Sequence, residues 1–237
     1  MDALYVLPVG ETLGNAWDKV KGSKKSFWAA FIILFIIAFG IGILQGIAKG
    51  MSPGLGFIVG IVGQIIIFLM QIGLLYIGIQ RAFDLPITYT QLFRAFDGAI
   101  ALRAIGLYIL QVIIFIPPFI AIFIGVFLGA ATRGSTLGSI ISVLLCLIGT
   151  IGLIYLSIRM MMGMALILDK GLNPWKAVKA SFHITRSNFW SLLGILFLQF
   201  LIVFISLIPM GIGSIWTMPF MFILYGVMYK KLLVNLP

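Results

Sequence analysis

The sequence is poor in charge. Asp, Glu, Lys and Arg make up 9% of its 237 residues, against about 25% in an ordinary soluble domain, while 62% are hydrophobic. So few charges cannot cover a water-soluble fold with this much apolar surface, and the deficit disappears if the solvent is hydrocarbon. Acids are scarcest. The six are Asp2, Glu11, Asp18, Asp84, Asp97 and Asp169, and none lies inside a long apolar run, where a carboxylate coupling ions to transport is expected. Cys146 is the single cysteine, which excludes an intrachain disulfide and a cysteine-based zinc site. His183 is the single histidine and has no acid at helical spacing to orient it, so it reads as a solvated residue and not a general base. There is no G-x-S-x-G elbow, no H-E-x-x-H, no phosphate-binding loop and no pair of carboxylates within an apolar run. No catalytic residue, cofactor or metal is expected, and the chain reads as a non-enzyme.

What remains is apolar runs and basic connections. A helix needs ~20 apolar residues to cross a bilayer core. Uncharged runs of that length cover 26–48, 50–80, 104–132 and 134–158, the second expected to turn helical from Leu55. A fifth, 187–229, is too long for one crossing. Pro209-Met210-Gly211-Ile212-Gly213 lies near its middle, which predicts one helix ending near Ile208 and another starting near Ser214. The fold class is therefore all-α: a polytopic membrane protein, six transmembrane helices in three hairpins. Residues 1–26 are too long and too mixed in charge for a signal peptide, so the first run is expected to stay as a helix.

The net charge is +10, and its placement is one-sided. Fourteen cations fall in alternate segments: Lys19, Lys21, Lys24, Lys25, Arg81, Arg94, Arg103, Arg159, Lys170, Lys176, Lys179, Arg186, Lys230 and Lys231. The other segments hold two, Lys49 and Arg133. That bias predicts both termini in the cytoplasm and contact with anionic lipid headgroups; it does not need nucleic acid as a partner.

The basic segments share a pattern of amphipathic helix followed by apolar run. Leu13, Ala16, Trp17 and Val20 fall on one helical face. So do Leu92, Phe93 and Phe96, after a candidate N-cap at Thr90. Trp175, Val178 and Phe182 form a third stripe after Asn173-Pro174, beside a basic stripe of Lys176, Lys179, His183 and Arg186. The chain then reads as one integral membrane domain, 1–237, with three copies of one unit near 9–80, 88–168 and 173–231. Phe27-Trp28 and Phe189-Trp190 recur in the first and third copies. Trp17, Trp28, Trp175 and Trp190 are the expected interfacial anchors.

Arg159 is the one cation flanked by apolar sequence on both sides. It is expected either to snorkel to headgroups or to act in an inner-face set with Asp97, Asp169, Arg94, Lys176, Lys179 and Arg186 that pairs ions or holds a lipid phosphate. Gln45, Gln64, Gln71, Gln111 and Gln199, with Tyr76 and Tyr108, are the polar groups within runs; the glutamines are expected to bond between helices. Gly42-x-x-x-Gly46, Gly56-x-x-x-Gly60 and Gly125-x-x-x-Gly129 suit close packing. Pro117-Pro118 is expected to kink or break the third run, and Met160-Met161-Met162-Gly163-Met164 to be adaptable core.

The stretch Asn173-Pro174-Trp175-Lys176-Ala177-Val178-Lys179-Ala180-Ser181-Phe182-His183-Ile184-Thr185-Arg186-Ser187-Asn188-Phe189-Trp190 resembles a pattern in YciC-like bacterial inner-membrane proteins, six-helix families with no assigned function. Gly10-Glu11-Thr12-Leu13-Gly14-Asn15-Ala16-Trp17 and Gln91-Leu92-Phe93-Arg94-Ala95-Phe96-Asp97-Gly98 look like the corresponding segments. The resemblance implies a bacterial cytoplasmic membrane and carries over no catalytic residue. The expected role is structural or envelope-maintaining, alone, as a homo-oligomer or with another membrane protein. The rival is a small-molecule or lipid transporter, whose mark is a central polar cavity lined by the glutamines and Arg159.

Overall fold

A computed structural model describes residues 5–132, 135–208 and 211–236, which form nine α-helices and no strand. Asp2, Arg133 and the Pro209-Met210 part of the expected turn lie outside the described residues. The helices are α1 (Val9–Val20), α2 (Lys24–Met51), α3 (Pro53–Ala82), α4 (Gly98–Ala131), α5 (Thr136–Met160), α6 (Gly163–Lys170), α7 (Pro174–Ile184), α8 (Phe189–Leu207) and α9 (Ser214–Leu232), with a 3-10 helix at Tyr89–Phe96. Six segments are long and apolar enough to cross a membrane: α2, α3, α4, α5 with α6, α8 and α9. The chain is an all-α, multi-pass membrane protein.

Helix ends follow local hydrogen bonding more than the edges of the apolar runs. Ser52 Oγ accepts from Leu55 N at 3.4 Å, so α3 starts at Pro53, where a missing N–H costs nothing. The Asp97 carboxylate accepts from Ala99 N at 3.1 Å and starts α4 at Gly98, ahead of the run at 104. The cap of the 3-10 helix is Thr88 in a capping box with Gln91, and not Thr90. With three residues per turn, positions i and i+3 eclipse. Leu92 and Ala95 therefore point inward, while Phe93 and Phe96 pair outside at 5.9 Å between ring centroids, so the expected Leu92-Phe93-Phe96 face does not form. On α1 the buried stripe is Thr12, Ala16 and Val20, with Trp17 at its edge; on α7 it is Ala177, Val178, Ser181 and Ile184, and Trp175 faces out.

Pro117-Pro118 does not end α4, which runs unbroken from Gly98 to Ala131. Pro118 is buried against Gly149 and Gly152 of α5, whose missing side chains make room for it. The glycine motifs divide in use. A Cβ on Gly56 or Gly60 would strike Lys49 or Gln45, and one on Gly125 or Gly129 would strike Cys146 or Ser142, so these glycines close the α2–α3 and α4–α5 hairpins. Gly42 and Gly46 face open space.

One close helix crossing, α3 on α9, involves two glycines outside those motifs. A Cβ on Gly78 of α3 would overlap the Phe222 carbonyl, and one on Gly226 of α9 would lie 2.5 Å from the Gly78 carbonyl oxygen. Backbone touches backbone there, and Phe27, Ile77, Phe220, Ile223 and Tyr229 are buried around it. Gly73 seats the 3-10 helix in the same way, against the Leu92 carbonyl. The core thus sits at the end carrying the basic segments. Farther along, Phe35 and Phe39 of α2, Phe57 of α3, Phe119 and Phe123 of α4 and Ile148 and Ile151 of α5 are exposed, as suits hydrocarbon. The third hairpin is recessed. Trp28 Nε1 donates to the Ile215 carbonyl at 3.2 Å, and Lys24 Nζ lies 4.5 Å from the Trp216 ring centre, so α9 begins beside the start of α2. The far end of α2 is about 35–40 Å away at ~1.5 Å per residue.

Leucine at Gly78 or Gly226 should destabilise the protein by about 1–3 kcal/mol or more, because backbone cannot give way as a side chain can. Leucine at Gly46, which faces open space, should change stability by no more than about 0.5 kcal/mol. Thermal unfolding of the detergent-solubilised variants reads both.

Candidate functional site

The basic end is tied together by residues from distant parts of the chain. α3 stops at Ala82, and Asp84 follows with φ of 60°, the left-handed region that Asp enters more readily than most side chains. That turn places its carboxylate between Lys19 of α1, which it pairs with closely, and Lys230 of α9 at 3.6 Å. Arg81 donates to the carbonyls of Lys19 at 2.8 Å and Lys21 at 2.7 Å, and Lys230 donates to the Ala82 carbonyl at 3.1 Å. Lys231 bonds Glu11 at 2.8 Å. Hydrogen bonding from Lys19 holds the Asp84 carboxyl below the ordinary carboxylate range, and Lys231 does the same for Glu11.

Two buried asparagines clip the N-terminal segment to the same end. Asn188 Oδ1 accepts from Leu7 N at 2.6 Å, and its Nδ2 donates to the Tyr5 carbonyl at 2.9 Å. Asn235 accepts from Tyr5 N at 3.0 Å and donates to the Tyr5 carbonyl at 3.2 Å. Nothing in their sequence context separates these asparagines from ordinary interfacial ones.

Arg159 ends α5 and is 7% exposed. Its carbonyl, left free by the end of the helix, accepts from Ser181 Oγ at 2.7 Å. Its guanidinium donates to Thr185 Oγ1 at 3.2 Å and lies over the Phe182 ring at 5.0 Å and the Tyr155 ring at 5.9 Å. Nε has no partner, and no carboxylate among the described residues pairs with the charge. The negative end of the α5 dipole and two aromatic faces stand where a counterion was expected. The next turn is closed similarly: Tyr225 of α9 donates to the Met161 carbonyl at 2.6 Å, between α5 and α6, while Met160 and Met162 fill the core.

The seven residues of the expected inner-face set do not form one cluster of ion pairs. Asp169 accepts from the Tyr229 hydroxyl at 2.8 Å and pairs with neighbouring Lys170 at 3.3 Å. Asp97 caps α4, and Arg94 lies over Tyr76 at 6.0 Å. Lys176, Lys179 and Arg186 are exposed and pair with no carboxylate among the described residues. Lys179 lies 5.2 Å from the ring centre of Trp175, which is 54% exposed, and Trp190 beyond them is 79% exposed. Trp17 instead packs edge-on against Phe220 at 5.4 Å.

Gln45, Gln64, Gln71, Gln111 and Gln199 make no side-chain hydrogen bond to any described residue, contrary to the bonding expected between helices. Gln64 and Gln71 of α3 line a cavity of about 420 Å³ with Phe68, Ile105 and Tyr108. A second, of about 610 Å³, runs on from Tyr108 past Gln111, Phe115, Phe119 and Phe123 of α4. Arg159 lines neither cavity. No protein-family model matches the chain, and no curated protein or solved structure is detectably similar to it.

Because Asp84 and Glu11 titrate below their ordinary range in the folded chain, the stability they add is present above about pH 4 and is lost as pH falls through the folded values. Protection factors for amide exchange in α1 and in the last turn of α9, which divide out the intrinsic slowing of exchange in acid, should fall on acidification. Asp84→Asn should show faster exchange already at pH 7 and a flatter response to acid.

Proposed function

We propose that this chain is a non-enzymatic protein of the bacterial cytoplasmic membrane that holds anionic lipid at its basic end and serves a structural, envelope-maintaining role. The observation that carries this reading is the outer face of α7. Lys176 and Lys179 stand there, and Arg186 just past its end, with no acidic partner among the described residues, beside exposed Trp175 and, at the start of α8, exposed Trp190. A basic and indole-bearing helix face is the composition that binds a headgroup layer, at about 1 kcal/mol per cation near an anionic surface. On the far side of the same end, Lys19, Lys230 and Lys231 are spent on Asp84 and Glu11. The division separates cations that hold the fold from cations free to meet lipid.

The cation bias between alternate segments supports cytoplasmic termini. The YciC-like stretch, which includes this helix, supports the bacterial setting. The scattered acids and the single exposed histidine support a non-catalytic role. The carrier reading retains one supporting feature, the glutamine-lined cavity, but has Arg159 outside it.

Native mass spectrometry of the protein released from mixed-lipid nanodiscs tests the proposal. The wild type should retain phosphatidylglycerol or cardiolipin over phosphatidylcholine. Lys176→Glu with Lys179→Glu and Arg186→Glu should abolish that preference without altering elution. An unchanged preference in the triple variant, or turnover of a lipid or peptide by the purified wild type, would overturn it.

A further inference from the structure

The cavity between α3 and α4 lies away from the basic face, and the two helices that bound it scarcely touch. They meet at a small apolar cluster, Leu69 and Ile72 of α3 with Ala95, Ile100 and Ala104, and then through the Phe68 and Tyr108 rings at 5.5 Å. Alongside that contact runs a cleft open to the side, lined by Gln64, Phe68 and Gln71 of α3 with Ile105 and Tyr108 of α4, and a groove on α4 alone continues it past Tyr108 to Gln111. Gln71 stands about 15 Å along the helix from Arg81, and Gln111 about 12 Å from Arg103, at ~1.5 Å per residue. Both amides, with Gln64 and the Tyr108 hydroxyl, have no side-chain hydrogen bond to any described residue. An amide left in hydrocarbon without a partner is costly, so three amides and a phenol along this path favour an occupant that can bond them.

The chemistry of the cleft selects that occupant. Its lining carries no charged side chain. The nearby cations are engaged elsewhere, Arg94 over Tyr76 and Arg103 on the Gly171 carbonyl at 2.9 Å. The apolar contact between the helices stops a headgroup from passing through the cleft to the basic end. A phospholipid reaching the amides would bring its phosphate into an uncharged cleft within the apolar span. A lipid without a charged headgroup meets no such penalty and sinks until its hydroxyl and ester carbonyls reach the glutamines. Phe115, Phe119 and Phe123 then offer an apolar track for its chain.

The geometry points to a binding site for an uncharged glycerolipid, of the diacylglycerol type, in the lateral cleft between α3 and α4. Gln71 and Gln111 contact its hydroxyl and carbonyl groups, and Gln64 and Tyr108 complete the polar rim.

The probes are photoactivatable diacylglycerol and photoactivatable phosphatidylglycerol, each in nanodiscs with the full chain. Diacylglycerol should label peptides covering 64–71 and 105–123 about fivefold more than phosphatidylglycerol does, the worth of one ordinary hydrogen bond. Gln71→Leu with Gln111→Leu should remove that preference, while Gln71→Glu should weaken it by placing a charge in the cleft. Unlabelled diacylglycerol should compete on the wild type, an arm that does not depend on any variant folding. Equal labelling by the two lipids, labelling without competition, or crosslinks joining two copies of the chain at these helices in place of lipid adducts would overturn the assignment.

Discussion

Two helix backbones in contact, α3 at Gly78 and α9 at Gly226, set where everything else in this protein can go. Contact at that distance tolerates no side chain, so it fixes the first and third hairpins against each other at one level. The ion pairs at Asp84, the Arg81 bonds to α1 and the clipping of Tyr5 by Asn188 and Asn235 all lie at that end and depend on that level being held. In hydrocarbon no hydrophobic force drives helices together, so association falls to such close packing and to polar bonds. Both are concentrated at the basic end, and the rest of each hairpin is left to the lipid.

The two ends accordingly suit different partners. At the basic end, cations outnumber carboxylates, and Asp84 and Glu11 are engaged in joining α1, α3 and α9 to one another. What is left over is a basic, tryptophan-bearing face with no carboxylate among the described residues paired to it. Within the apolar span the situation reverses: there is no charge, and the unmet groups are amides and a phenol. Headgroups fit the first environment and uncharged lipid fits the second, so the chain offers two chemically distinct contacts with one membrane.

The membrane class and the helix pairs were legible because they rest on composition and run length, which do not depend on tertiary detail. The split of 187–229 was legible from proline and glycine together, since α8 ends at Leu207 and α9 starts at Ser214. Packing was not. Gly78 and Gly226 carry the α3–α9 backbone contact but stand far apart in sequence and in no x-x-x spaced glycine pair, whereas Gly42-x-x-x-Gly46 has the motif and faces open space. The face of the 3-10 helix was misassigned because a period of 3.6 groups Phe93 with Leu92, and a period of 3 separates them. Arg159 was recognisable as unusual from its apolar flanks. Its partners, Ser181, Thr185 and Phe182, became visible only once α7 was seen to fold across the end of α5. The recessed third hairpin was not foreseen, although α9 is markedly less apolar than the other five spans and so carried a signal for it.

The central claim is that the hairpins are locked at the basic end and lie apart beyond it. Distances between spin labels in nanodiscs test it directly, in a Cys146→Ser background carrying one cysteine pair at a time. A pair at Lys21 and Val234 should give a single narrow distance. A pair at Phe57 and Phe127, on the far parts of α3 and α4, should give a longer and broader one. A far-end distribution as narrow as that at the basic end, and no longer, would mean that the hairpins pack along their whole length, and would contradict the account.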